Sequence, residues 1–93
     1  MSRLEFTRAA RQDLSELQVQ IVAEGGEARA VAYLDRLMQR CLVLEVFPEA
    51  GRPRGPNGTR SLAFERRAVL IYRVAGDSVR ILRILYGGRD LPW

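Results

Sequence analysis

Residues 68–86 read Ala68-Val69-Leu70-Ile71-Tyr72-Arg73-Val74-Ala75-Gly76-Asp77-Ser78-Val79-Arg80-Ile81-Leu82-Arg83-Ile84-Leu85-Tyr86. Two runs rich in β-branched and aromatic residues flank the turn signal Ala75-Gly76-Asp77, which predicts a β-hairpin. Gly87-Gly88 ends the second run. Upstream, Arg60-Ser61-Leu62-Ala63-Phe64 alternates, and Glu65-Arg66-Arg67 turns the chain into the hairpin. Three strands joined by tight turns make an antiparallel meander. Strict alternation puts Val79, Ile81 and Leu85 on one side of the last strand, and Leu82, Ile84 and Tyr86 on the other. On the strand before it, Val69 and Ile71 oppose Leu70, Tyr72 and Val74. Both faces of the sheet are therefore expected to be largely apolar, more than two helices can cover. Either the long loop and the C-terminal tail fold over the second face, or a partner does. Arg73, Arg80 and Arg83 interrupt that patch and suit an acidic partner.

Toward the N-terminus the period changes. Leu4 and Phe6 alternate with Arg3 and Glu5, as in a short first strand. Thr7 is placed to cap a helix through its hydroxyl. Ala10, Leu14, Leu17 and Ile21 then form one helical stripe, which Gly25-Gly26 closes. A second helix is predicted over residues 27–46, with Ala30, Leu34, Leu37, Cys41 and Leu44 as its stripe. Tyr33 and Met38 flank that stripe, as packing residues or partner contacts. Glu27 opposes the positive end of the helix dipole, and Pro48 stops the helix. Residues 48–58 hold three Pro and three Gly and read as one long loop. The expected fold is α+β, in the order β-α-α-β-β-β. A helix hairpin packs on one face of a small, four-stranded, mainly antiparallel sheet.

Length and charge bound the function. Ninety-three residues make a single domain, 1–93. No apolar run is long enough to span a bilayer, and residues 1–6 lack the apolar core of a secretory signal. A cytoplasmic protein with no membrane association is expected. All fifteen Lys-or-Arg positions are Arg, there is no His, and the net charge is +4. Guanidinium keeps its proton near neutrality, so no cation here serves as an acid or base. The commonest general base and metal ligand is missing. A single Cys excludes an intrachain disulfide and a Cys-based zinc site. No metal and no cofactor are expected. Without a basic stripe interleaved with aromatics, sequence-specific nucleic-acid binding by the chain alone is not expected either.

The chain resembles the small toxins of the ParE/RelE superfamily, encoded in bacterial toxin–antitoxin operons. The resemblance covers almost its whole length. Thr7-Arg8-Ala9-Ala10-Arg11-Gln12-Asp13-Leu14 is similar to the family's helix-opening pattern, and Gly51-Arg52-Pro53 to its glycine- and proline-bearing connection. The strongest match is C-terminal: Arg60-Ser61-Leu62, Ile71-Tyr72-Arg73-Val74, Gly76-Asp77, Val79, Ile81-Leu82-Arg83-Ile84-Leu85 and Gly88-Arg89-Asp90-Leu91. That order resembles the ParE branch. The resemblance implies an intracellular growth inhibitor, held inactive in a hetero-oligomer by a ParD-like antitoxin with an acidic C-terminal segment. ParE members stall DNA gyrase on cleaved DNA; RelE members cut mRNA on the ribosome.

Chemistry separates the branches. RNA cleavage needs a stabilised phosphorane and proton transfer from a group with a pKa near 7. In nuclease relatives a basic group and a Tyr or His near the last strand carry the reaction; only Arg83, Tyr86 and Arg89 fall there. Glu45, Glu49 and Glu65 are substitutes in principle. The incomplete set favours gyrase inhibition by binding. The alternatives are a RelE-like ribosome-dependent mRNA endonuclease and an inactive homologue that only binds antitoxin. Candidate target contacts are Arg60, Arg67, Tyr86, Arg89 and Trp93, the last because Trp is enriched in binding hot spots. Candidate antitoxin contacts are Leu34, Met38, Arg73, Arg80 and Arg83.

Overall fold

The computed structural model describes residues 2–65 and 67–87. Strand β1 (Arg3–Phe6) leads into helices α1 (Arg8–Gly25) and α2 (Glu27–Val46), then β2 (Arg52–Pro53), β3 (Thr59–Phe64), β4 (Ala68–Ala75) and β5 (Ser78–Tyr86). The strands form one sheet in the order β1-β5-β4-β3-β2. The meander is antiparallel, and β1 lies parallel to β5, with Leu4 opposite Val79 and Phe6 opposite Ile81. The sheet has five strands where four were expected. The additional one, β2, lies inside the Pro- and Gly-rich stretch, where Arg52 and Pro53 pair with Ser61 and Arg60. Two residues are too few to show a period, and Pro is tolerated there because β2 is an edge strand.

Each helix begins and ends on local signals. Thr7 is extended, and its Oγ1 accepts from the Ala10 amide at 3.1 Å as the N-cap of α1. Gly26, at φ 92°, makes the turn that separates the helices. On α1 the buried stripe is Ala10, Asp13, Leu17 and Ile21, with Leu14 half-buried. On α2 it is Ala30, Tyr33, Leu37, Cys41 and Leu44. Tyr33 is thus a core residue, while Leu34 is half-buried against the core.

The expectation of two apolar sheet faces is corrected by a β-bulge. Ile71 pairs with Arg83 but Tyr72 pairs with Ile81, so Leu82 is the extra residue. The bulge shifts the phase of β5 by one. Val79 and Ile81 before it, and Ile84 and Tyr86 after it, therefore all join the core with Leu70, Tyr72 and Ala68. The opposite face carries Ser61, Val69, Ile71, Arg73, Arg80, Arg83 and Leu85. Ile71 and Leu85 are themselves buried, so among the described residues this face shows no broad bare apolar patch. Thr7 holds the bulge in place. Its amide donates to the Ile81 carbonyl at 3.1 Å and its hydroxyl to the Leu82 carbonyl at 2.9 Å.

Tyr72, fully buried on β4, anchors the loop that follows α2. Its hydroxyl donates to the Pro48 carbonyl at 2.9 Å and accepts from the Gly51 amide at 2.7 Å. Gly51 leaves no room for a side chain, since an added Cβ would lie 2.6 Å from Tyr72 Oη and 2.8 Å from the Ser61 carbonyl.

Candidate functional site

The C-terminal half of β5 runs beyond the short β1, so its outer edge needs other partners. Asp13 of α1 supplies them. The Ile84 amide donates to Asp13 Oδ2 at 2.8 Å, and Arg83 donates Nε and Nη2 to the same carboxylate at 2.8 and 3.0 Å. Asp13 is only 5% exposed. The hydrogen bonds to Asp13 raise the Arg83 pKa further, and the group stays a cation. Arg83, a candidate for both catalysis and antitoxin contact, is thus engaged in joining helix to sheet. Sequence reading missed Asp13 as an organiser. The signal was available: a charged residue three after Ala10 and four before Leu17 falls inside an apolar helical stripe.

Tyr86 ends β5 and is buried. Its ring meets Tyr33 edge-on at 5.7 Å between centroids, and Tyr33 in turn meets Phe64 at 5.3 Å. The Arg67 guanidinium lies over the Tyr86 ring at 5.0 Å and that of Arg36 over Tyr33 at 5.6 Å. Burial, then the neighbouring Tyr86 and Glu65, push the Tyr33 hydroxyl up to about 12. Glu65 adopts φ 51° at the β3–β4 turn and accepts Arg36 Nε and Nη2 at 2.7 and 3.0 Å, which lowers its own pKa. Arg60 is turned toward the loop, where its Nη1 donates to the Gly51 carbonyl at 2.7 Å and to the Glu49 carbonyl at 3.3 Å. Tyr86 and Arg67 therefore come together, Arg83 is held apart on Asp13, and Arg60 braces the loop. Arg89 and Trp93 lie outside the described residues.

Among the described residues, α2 and the far side of the sheet each present a surface open to a partner. On the side of α2 turned from the core, Met38, Leu42 and Val46 follow at four-residue spacing, with Val31 seven residues before Met38. All four are exposed, and Phe47 just beyond is 64% exposed. Across the sheet, Arg73 and Arg80 stand directly opposite each other beside a 320 Å³ cavity that they line with Ala75, Ser78 and Leu82. Glu5 approaches Arg80 only to 3.6 Å. The five candidate antitoxin contacts thus fall on opposite sides of the sheet, Leu34 and Met38 on α2 and the arginines beyond.

Among the described residues there is no group of three or more His, Cys, Asp or Glu side chains able to hold a metal ion. No helix among them is long and apolar enough to cross a membrane.

Comparison with known proteins adds to this geometry. The family described as "ParE toxin of type II toxin-antitoxin system, parDE" matches residues 4–91. A chain of the chromosomal ParDE toxin–antitoxin system from P. aeruginosa superposes with a TM-score of 0.82 at 30% identity, covering 94% of this chain and 97% of that one. A chain of the RelBE2 toxin–antitoxin complex from Mycobacterium tuberculosis superposes at 0.64 with 26% identity, covering 91% and 96%. The isolated E. coli RelE toxin shares the fold, with a TM-score of 0.67 at 18% identity over 97% and 88% of the two chains. No curated protein sequence matches significantly.

Proposed function

The chain belongs to the ParE toxin family of type II toxin–antitoxin systems, and from that premise we propose that it inhibits DNA gyrase by binding, in the cytoplasm, until a cognate antitoxin neutralises it. The observation that carries the reading is the match over residues 4–91. The side-chain chemistry agrees with it. The chain has no His and no Lys, Arg83 is held by Asp13, and the Tyr86 ring is packed against Tyr33. A toxin that traps its target's own cleaved intermediate needs no proton-transfer group of its own.

The antitoxin reading rests on the apolar outer stripe of α2 and on the Arg73–Arg80 pair. An amphipathic helix laid along Val31, Met38, Leu42 and Val46 buries that stripe. An acidic extension passing to the other side of the sheet then meets the arginines.

The test is a supercoiling and cleavage assay with purified gyrase and the purified chain. Accumulated cleaved DNA supports the proposal. The second reading, an mRNA endonuclease, is favoured by the RelBE2 likeness; codon-dependent mRNA cuts on translating ribosomes with no gyrase effect establish it instead. Normal growth on expression without antitoxin identifies an inactive homologue. For the antitoxin, Leu42→Glu is expected to weaken binding at least tenfold with the fold intact, and unchanged affinity moves the docking site elsewhere.

A further inference from the structure

The β3–β4 turn and the end of β5 meet the N-terminal half of α2 around a cavity of about 100 Å³. Three arginines line it, Arg29, Arg36 and Arg67, with two acids, Glu24 and Glu65. Like charges held in a small space repel unless something between them offsets the repulsion, and the two carboxylates do so incompletely. Glu65 takes Nε and Nη2 of Arg36 and leaves the Nη1 edge. Glu24 reaches Arg67 only at 3.8 Å, beyond hydrogen-bonding distance. An excess of positive charge therefore remains.

A second observation is independent of charge. Among the described residues, Tyr33 Oη is the buried side-chain polar atom with no hydrogen-bond partner. Tyr33 is 7% exposed and lines this same cavity. A buried hydroxyl without a partner is uncommon and calls for a physical explanation. Because burial raises its pKa to about 12, Tyr33 keeps its hydroxyl proton and stays a hydrogen-bond donor throughout the physiological range.

We infer that this cavity binds one phosphate-class oxyanion, with Tyr33 Oη and the guanidiniums of Arg36 and Arg67 as donors. The donors come from α2 and from the far side of the β3–β4 turn, so they approach the ligand from different directions. A tetrahedral oxyanion presents acceptors in all of those directions, and guanidinium edges suit its oxygens. The volume admits a single group of that size. The Tyr33 and Tyr86 side chains supply its aromatic walls. The source is either free phosphate or the phosphate of a mononucleotide. The inference does not depend on gyrase being the target.

Calorimetric titration of the purified full chain with inorganic phosphate tests it, with sodium chloride at matched ionic strength as the control. Saturable binding of one phosphate per chain is expected. Tyr33→Phe and Arg67→Gln should each weaken it at least tenfold, while Arg73→Gln, on the opposite sheet face, should not change it. A 5′-mononucleotide that binds more tightly than phosphate assigns the nucleotide as source; one that does not bind assigns the free ion. Either result supports the site. No saturable binding, an equal response to chloride, or wild-type affinity in both variants overturns it. A Tyr33→Phe chain that melts higher but binds phosphate as before also overturns it, since the hydroxyl is then only an unpaired group. Should Tyr33→Phe fail to fold, Arg67→Gln decides alone, because its side chain is half exposed.

Discussion

Arg83 of β5 and Asp13 of α1 are joined by two parallel hydrogen bonds of 2.8 and 3.0 Å, and the Ile84 amide donates a third to the same carboxylate at 2.8 Å. One buried side chain thereby closes the open edge of β5 and fixes α1 against it. Asp13→Asn is expected to destabilise the chain by about 2–4 kcal/mol, since it weakens the ion pair and the edge bond together. Arg83→Gln should remove roughly 1–2 kcal/mol, because its side chain is 45% exposed and solvent screens the pair. Urea melts of both variants check this. Equal losses would show that the amide oxygen of Asp13→Asn still accepts the Ile84 bond in full.

Tyr72 and Gly51 form the second clamp, between β4 and the loop after α2. Tyr72→Phe deletes the bonds to the Pro48 carbonyl and the Gly51 amide, and a loss of about 1–2 kcal/mol is expected. Gly51→Ala should cost about 1–3 kcal/mol or more, because the new methyl meets both the Tyr72 hydroxyl and the Ser61 backbone. Combining the two substitutions is expected to give less than the sum, since both disrupt one contact. Full additivity in thermal melts would mean that the contact in solution differs from this one.

Arg73 and Arg80 offer a test in which two measurements move in opposite directions. They stand directly opposite on β4 and β5, and like charges in that arrangement repel. Arg73→Glu converts the repulsion to attraction and should stabilise the free chain by roughly 0.2–1 kcal/mol. The same change should weaken the proposed antitoxin complex, because an acidic segment then meets an acid. Stabilisation with undiminished antitoxin affinity would remove this face from the interface.

Alkaline stability follows from buried acids: burial raises Tyr72, and it raises Cys41 and Tyr33 furthest. Burial pushes the Cys41 thiol up from 9.0 to about 11, and burial followed by Tyr86 and Glu65 pushes Tyr33 up from 10.0 to about 12. Both groups are held protonated in the folded chain and ionise earlier in the unfolded one. The contribution of these two groups to stability is therefore constant below about pH 9 and falls as pH rises from there toward 12. For Cys41 the loss is on the order of 2–3 kcal/mol once pH passes 11. Denaturant melts of the wild type and Cys41→Ala between pH 7 and 11 check the sign, since the variant should lose less. Native Cys41 should also resist thiol reagents at pH 8 until the chain unfolds.

The elements and their limits were legible because they depend on neighbours in sequence. Thr7 caps α1, Gly26 permits the positive φ between the helices, and Gly76 turns the hairpin at φ 59°. The apolar periods of α1, α2 and β4 mark their buried sides, and the order of the strongest motifs pointed to the family. Strand β2 was hidden because two residues carry no period. The candidate site was less legible. Tyr86 and Arg67 do meet, but Arg60 turns to the loop and Arg83 to Asp13.

Three features depended on packing at long range. A one-residue bulge at Leu82 decided which side Ile84 and Tyr86 face, and it is held by Thr7, seventy-five residues away. Asp13 became an edge partner only because β1 stops short of the second half of β5. Tyr33 became part of the core because Phe64 and Tyr86 close around it. Periodicity reports how a segment can present its side chains; only the assembled sheet and helices determine which partners those side chains find.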